Sequence, residues 1–330
     1  MRLMDPTTGQ IPSGMRRAEL DFAAKLPKDV DYFTGKSLYN PSLSWTLRGP
    51  WNVGGRTRAF AVDQTNPDHL IAVSVSGGIW QSQNGGITWL KTSAPDFHFG
   101  ATCIRQDTRP GHEDTWYIGT GEGYGTSASG SGAFYLGNGM LKSTDNGATW
   151  QSLSATASNT PHSFDKYWDV MWNIALDPSD TLNDIVYAAT LGRIYRSADG
   201  GNTWVESLKG NTYSYFTDVA VTPSGIVYAT MSSDGSKDGI FRSVDGMTWT
   251  DITPDSFALV YDRIVIGVNP LNEHSLYFLA HTPGYGQECT SFRGRKEWNS
   301  LWKYRYISGD GSDSGGVWTD LSHNIPAWGG

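Results

Sequence analysis

Two cysteines in 330 residues, Cys103 and Cys289, are too few for a disulfide framework. Cys103 stands in an apolar run and reads as core, whereas Cys289 stands in a loop segment; a bridge between them is left open. No run of 18 apolar residues occurs, which excludes a membrane-spanning helix. The opening residues carry no apolar stretch of the signal-peptide kind, as a chain whose leader has been removed would also show. Charge is sparse, at 18% of residues, and its balance is acidic at −8, which argues against a partner made of nucleic-acid phosphates. Gly-x-x-x-x-Gly-Lys-Ser/Thr, Gly-x-Ser-x-Gly and His-Glu-x-x-His are all missing. The seven histidines are scattered, so the sequence predicts no zinc site.

What the chain has in abundance is glycine (39), tyrosine (16) and tryptophan (14), a composition suited to many short strands, tight turns and aromatic packing. One phrase recurs four times. It reads Ser82-Gln83-Asn84-Gly85-Gly86-Ile87-Thr88-Trp89, then Ser143-Thr144-Asp145-Asn146-Gly147-Ala148-Thr149-Trp150, then Ser197-Ala198-Asp199-Gly200-Gly201-Asn202-Thr203-Trp204. A shorter version closes the series, Ser243-Val244-Asp245-Gly246-Met247-Thr248-Trp249. From Trp to Trp the intervals are 61, 54 and 45 residues, the scale of one small structural unit, so the fold is a repeat. Ser and Asp on either side of a variable residue can bind the backbone of a tight turn. Gly supplies the positive φ such a turn needs, and the Trp ring packs over it. A β-like run precedes each phrase (Ile79-Trp80, Met140-Leu141, Ile194-Tyr195, Ile240-Phe241), so each phrase is a hairpin turn.

The phrase resembles the Asp box, or BNR repeat, of β-propellers, which occurs in sialidases, sortilin-type receptors, xyloglucan hydrolases and secreted bacterial repeat proteins. The resemblance implies a fold and no reaction, because the box fastens a turn. Extended backwards, each repeat gains an innermost strand (Thr57–Asp63, Ala101–Asp107, Met171–Asp177, Phe216–Thr222, Arg263–Asn269) and a second one (Leu70–Ser76, Thr115–Thr120, Ile185–Thr190, Ile226–Met231, Leu276–His281). The prediction is an all-β propeller spanning 44–330, with five four-stranded antiparallel blades; Ser312-Asp313-Ser314-Gly315-Gly316-Val317-Trp318-Thr319 forms a degenerate fifth box. Ser44-Trp45-Thr46-Leu47 looks like an orphan outer strand, which implies a larger ring of six to eight blades and further sequence after Gly330.

Residues 1–43 are expected to form an N-terminal arm with a short helix, capped at Ser13, ended by Pro27 and packed on the outside of the propeller. The Met-Asp-Pro opening and the stretch Gly49-Pro50-Trp51-Asn52-Val53-Gly54-Gly55-Arg56-Thr57-Arg58 resemble secreted repeat proteins of Bacteroidetes-type bacteria, exported by type IX secretion with a C-terminal sorting domain. That resemblance implies an extracellular or outer-membrane-surface location and a glycan or protein partner there.

Propeller geometry puts the boxes on one face and the long loops 121–138, 154–169, 232–238 and 282–300 on the other. The loop face is predicted to carry the ligand site, formed by Arg56, Arg58, Glu122, Tyr124, Tyr167, Trp168, Tyr215 and Tyr285, with Phe134, Tyr135, Tyr213 and Trp298 nearby. Aromatic rings beside carboxylates suit a sugar, whose apolar face stacks while its hydroxyls hydrogen-bond; the plainer reading is that these rings pin glycine-rich loops to the rim. A glycosidase needs two carboxylates, about 5 to 9.5 Å apart. Glu122 is the best candidate acid, with Asp169, Asp218 or Asp262 as partner. Pairing of Glu122 with Arg56 or Arg58 is the competing expectation. The Arg-Ile-Pro signature of sialidases and the catalytic pattern of xyloglucan hydrolases are missing, so a binding propeller leads, with glycoside hydrolase and ligand-free structural spacer as alternatives. The sequence predicts no cofactor. The oxygen-rich loops Asp234-Gly235-Ser236-Lys237-Asp238 and Asp310-Gly311-Ser312-Asp313 are weak Ca²⁺ candidates and read first as solvated turns.

Overall fold

The computed structural model describes residues 15–25, 56–75, 78–94, 100–123, 135–160, 163–290 and 294–327. After one helix, α1 (Met15–Lys25), the described residues form five antiparallel sheets. The first holds β1 (Thr57–Val62), β2 (Leu70–Ser74), β3 (Ile79–Ser82) and β4 (Leu90–Lys91). The second holds β5 (Ala101–Gln106), β6 (Trp116–Thr120), β7 (Met140–Ser143) and β8 (Gln151–Ser152). The third holds β9 (Met171–Leu176), β10 (Val186–Thr190), β11 (Arg193–Ser197) and β12 (Val205–Lys209). The fourth holds β13 (Thr217–Val221), β14 (Val227–Met231), β15 (Gly239–Ser243) and β16 (Thr250–Asp251). The fifth holds β17 (Ile264–Val268), β18 (Ser275–His281), β19 (Gln287–Thr290), β20 (Lys296–Tyr306) and β21 (Gly316–Asp320).

The innermost strands β1, β5, β9, β13 and β17 adjoin one another in chain order, which is the arrangement of propeller blades around an axis. Four apolar clusters fill the four blade junctions. Ile71, Val73 and Ile79 meet Ile104 and Ile118; Tyr117 and Met140 meet Met171 and Val186. Tyr187 and Ala189 meet Val227 and Phe241; Tyr228 and Ile240 meet Phe278 and Trp302. Alternation along each strand sends one side chain to the preceding blade and the next to the following one, so a single blade has no core of its own.

The repeated turns close as their chemistry requires. Ser143 Oγ donates to Asp145 Oδ1 at 2.7 Å and accepts from Gly147 N at 2.9 Å, while Asp145 accepts from Thr149 N at 2.8 Å and from Thr149 Oγ1 at 2.6 Å. Ser197, Asp199, Gly201 and Thr203 repeat the pattern, as do Ser243, Asp245, Gly246 and Thr248. In the first blade Ser82, Asn84, Gly86 and Thr88 do the same with an amide in place of the carboxylate. Trp89 and Trp204 return their indole N–H to the Gly86 and Gly201 carbonyls, while Trp249 donates to Ser207 of the preceding blade. Trp150 is half-buried against the core of the first blade junction. The threonine closes each of these four turns.

The turns of the second, third and fourth blades also touch the blade before them. Tyr117 Oη donates to the Gly200 carbonyl at 3.2 Å, and a Cβ on Gly246 (φ 69°) would lie 1.9 Å from Tyr187 Oη. The glycines thus serve the turn and the blade junction together.

The fifth sheet departs from expectation. The segment 282–300, predicted to be a loop, contains β19 and the start of the 11-residue β20; β19 and β21 lie end to end along one edge of β20. Its turn is a longer one in which Asp310 accepts from Ser312, and Trp318 lies inside β21. Cys289 accordingly sits in a strand, is buried, and is a free thiol like Cys103. Burial pushes the Cys103 thiol up to about 11. In α1 the described side chains are exposed except for half-buried Leu20, with Phe22 65% exposed, which leaves little of the predicted packing face. Ser13, Pro27, Trp45 and the stretch 49–55 lie outside the described residues.

Candidate functional site

The innermost strands begin on the face opposite the repeated turns, and the second strands end there. Arg56 and Arg58 therefore enter at the start of β1, Glu122 just after β6, Trp172 on β9, and Arg263 immediately before β17. Glu122 is held by a backbone bridge, its N–H donating to Tyr135 O at 2.7 Å and its carbonyl accepting from Tyr135 N at 2.9 Å. Gly121 (φ 88°) lets this segment pass against Asp169, where a Cβ would lie 1.9 Å from the Asp169 carbonyl oxygen.

The Glu122 side chain is fully buried and ion-paired with two arginines. Arg56 Nη2 donates to Oε2, and Arg58 Nε lies 3.6 Å from Oε1, which has no hydrogen-bond partner of its own. Glu122 thus takes the second of its two expected roles, a carboxylate engaged by guanidinium groups.

The other candidate acids are also engaged, though one of them faces solvent. Asp169 is buried, and its Oδ2 accepts from the Asp165 and Lys166 amides at 2.9 and 3.0 Å; burial raises its pKa against those hydrogen bonds. It fastens its own loop, so its predicted catalytic role gives way to a structural one. Asp218 is buried likewise, accepting from Asn173 Nδ2, Val219 N and Ile266 N at 2.6, 2.9 and 2.9 Å, and burial raises its pKa too. Asp262 is different. Its side chain is 47% exposed, and Oδ2 lies 2.7 Å from His281 Nδ1.

The predicted aromatic site divides. Trp168 is buried, stacked on Tyr195 at 4.4 Å and edge-on to Trp204 at 4.9 Å, so it is core and unavailable to a ligand. Tyr285 lies at the outer edge of the fifth blade, parallel to Trp302 at 6.2 Å with its hydroxyl on Asp320, away from Glu122's blade. Tyr215 lies beside the Glu122 segment: it packs on Trp172 and Phe216 and donates to the Gly123 carbonyl at 2.5 Å. Tyr167 lies under the Arg193 guanidinium at 4.2 Å, next to the exposed rings of Phe164 and Tyr213. Tyr124 and Phe134 lie outside the described residues.

Arg263, which opens the innermost strand of the fifth repeat, also stands at the channel mouth. Arg263 has its guanidinium 5.6 Å from the Trp172 ring centre and a buried Nε without a hydrogen-bond partner. Burial lowers its pKa, with Asp218 opposing that and Arg58 adding to it. Nothing in the sequence pattern distinguishes this arginine from the others that start inner strands.

The oxygen-rich loops are satisfied by protein donors: Asp234 accepts from Tyr215 N and Ser232 Oγ, and Asp238 accepts from Tyr261 Oη. Among the described residues, Asp107, His112 and Asp184 do come together on the turn face. The Arg109 guanidinium binds both of those carboxylates at 2.6 Å and is itself the cation there, fastening the second blade to the third.

No family model matches the chain. Among curated proteins it is similar to a xyloglucanase of Paenibacillus sp (28% identical over 238 residues, 62% of this chain and 22% of that protein). It is also similar to a xyloglucanase of Acetivibrio thermocellus (25% over 285 residues, 74% and 32%) and to one of Hypocrea jecorina (29% over 214 residues, 56% and 24%). The chain thus spans a third or less of the length of these relatives. Among solved structures it resembles an ancestral GH74 enzyme (TM-score 0.57, 18% identical, 81% of this chain and 33% of that one) and the GH74 enzyme of Niastella koreensis (TM-score 0.53, 19%, 80% and 38%). The structural likeness establishes the β-propeller fold.

Proposed function

We propose that this chain is the saccharide-engaging propeller of a polysaccharide-acting protein of the glycoside hydrolase kind, and that the glycan lies on the loop face around Glu122. The sequence likeness to xyloglucanases over 238 residues carries this reading. Holding is favoured over cutting by the fate of three candidate acids: Glu122 is ion-paired, and Asp169 and Asp218 are buried on backbone amides. We take the repeated turns to be Asp boxes, and the place of action to be outside the cell, where polysaccharides are met. Export with a C-terminal sorting domain belongs to the same proposal.

A second reading is hydrolysis. It is favoured by Asp262, the solvent-facing member of the candidate set, whose His281 partner can relay a proton. Titration of the 330-residue chain with xyloglucan oligosaccharides, followed by a reducing-sugar assay, separates the two. Saturable binding without release is the expected result. Release that Asp262→Asn abolishes would move the assignment to catalysis, and no binding to any glycan would end both.

A further inference from the structure

Three guanidinium groups meet at the channel mouth. Arg56, Arg58 and Arg263 stand there with one ion-paired carboxylate, Glu122, in a chain whose net charge is −8. The four residues form a connected cluster. A Cβ on Gly123, the residue after Glu122, would lie 3.2 Å from the Trp172 ring, and the Arg263 guanidinium lies over that same ring. Trp172 is 4% exposed and donates its indole N–H to the Tyr215 carbonyl, so this floor is fixed.

Arg263 is the anomaly. Its buried Nε has no acceptor, and among the described residues it makes no ion pair within 4 Å. The carboxylate that offsets its charge, Asp218, spends its oxygens on Asn173, Val219 and Ile266. Asp262, its neighbour in sequence, is turned to His281. A buried guanidinium N–H without an acceptor is costly, and a planar carboxylate can take it together with a neighbouring Nη donor. Arg105, farther along the wall, differs: it is tied to Asn173 Oδ1 at 3.0 Å and to its neighbour's carbonyl.

We infer that the channel mouth between Arg58, Arg263 and Trp172 is a carboxylate-binding site, which recognises a uronic-acid residue of an acidic polysaccharide. The inference rests on the proposed use of the loop face for saccharides and narrows the ligand from neutral to acidic glycans. Glu122 already shows that guanidinium groups on this wall accept a carboxylate. The overall negative charge of the chain disfavours densely charged polyanions and leaves a sparsely charged glycan as the fitting partner.

The test compares a glucuronic-acid-bearing xylo-oligosaccharide with its neutral counterpart by calorimetry, at low and high salt. The wild-type chain should bind the acidic sugar at least about tenfold more tightly, a difference that shrinks with salt. Arg263→Gln should abolish the preference for the acidic sugar, and Arg263→Lys should restore only part of it. An unchanged melting temperature checks that each variant is folded. Equal binding of both sugars by the wild type would overturn this inference and leave the saccharide reading standing. Binding of neither would end both. A preference for inorganic phosphate or an acidic peptide over the uronic-acid sugar would also overturn it.

Discussion

Glu122 shows how one side chain decides between readings. Fully buried and shared by Arg56 and Arg58, it holds together the first two blades at the channel mouth. Glu122→Gln should therefore destabilise the fold, by about 1–3 kcal/mol in urea unfolding, because two guanidinium groups lose their counter-charge while remaining partly shielded. A general acid free of structural duties would lose activity on that substitution and keep its stability, so unchanged unfolding would contradict the ion-pair account. Glycine gives a second comparison at this scale. At Gly246, φ is 69° and the Tyr187 hydroxyl occupies the space of a Cβ, whereas at Gly111 φ is 86° and nothing lies within 4 Å. Gly246→Ala should cost about 2–4 kcal/mol and Gly111→Ala about 1 kcal/mol. Adding Tyr187→Phe should recover part of the first loss and none of the second.

Within the hairpin, the turn carboxylates set a pH dependence. Burial alone would raise Asp145 and Asp199, but hydrogen bonds from Thr149 and Thr203 outweigh it; at Asp245 the Thr248 and Met247 amides dominate, and all three end below the ordinary value. A depressed carboxylate contributes stability that is complete above its unfolded pKa of about 4 and is lost as pH falls through the folded value. The melting temperature should hold from neutral pH to about 5 and fall steadily below 4. The triple variant Asp145→Asn, Asp199→Asn, Asp245→Asn should be less stable at pH 7 and show a flatter acid limb; an equally steep limb would place the titrating groups elsewhere. These hairpins were legible because Ser, Asp, Gly and Trp act within eight residues of one another, and so were the inner and second strands. What stayed hidden depends on distant partners. Trp168 stacks on a tyrosine 27 positions along the chain, and Arg109 reaches the next blade. The β19–β20 hairpin lacks the repeated turn phrase that betrays the other four. The site was half visible for the same reason. Strand ends locate Arg56, Arg58 and Glu122 on one face, but only side-chain packing reveals that the buried Arg263 Nε has no acceptor among the described residues.

Across the whole molecule, the blade faces at the two ends of the array differ from those between. In the second, third and fourth blades the inner-strand residues Ile104, Ile174 and Val219 are almost wholly buried at a junction. Their first-blade counterpart Phe60 is 54% exposed, with Val62 at 46% on the same face; in the fifth blade Val265 and Leu279, directly opposite across β17 and β18, are 42% and 46% exposed. Two apolar faces of matching kind, each flanked by a well-packed one, are what a propeller presents where further blades belong, and they are consistent with the expectation from the sequence of a ring larger than five. The 330-residue chain should then self-associate as its concentration rises, with sedimentation showing a growing dimer fraction and a hydrophobic dye binding at low concentration. Phe60→Ser with Leu279→Ser should suppress both effects at little cost in unfolding free energy, since neither side chain gains much burial within the single chain. A wild-type chain that stays monomeric and dye-free would mean that its own residues cover these faces and that the five blades need no others.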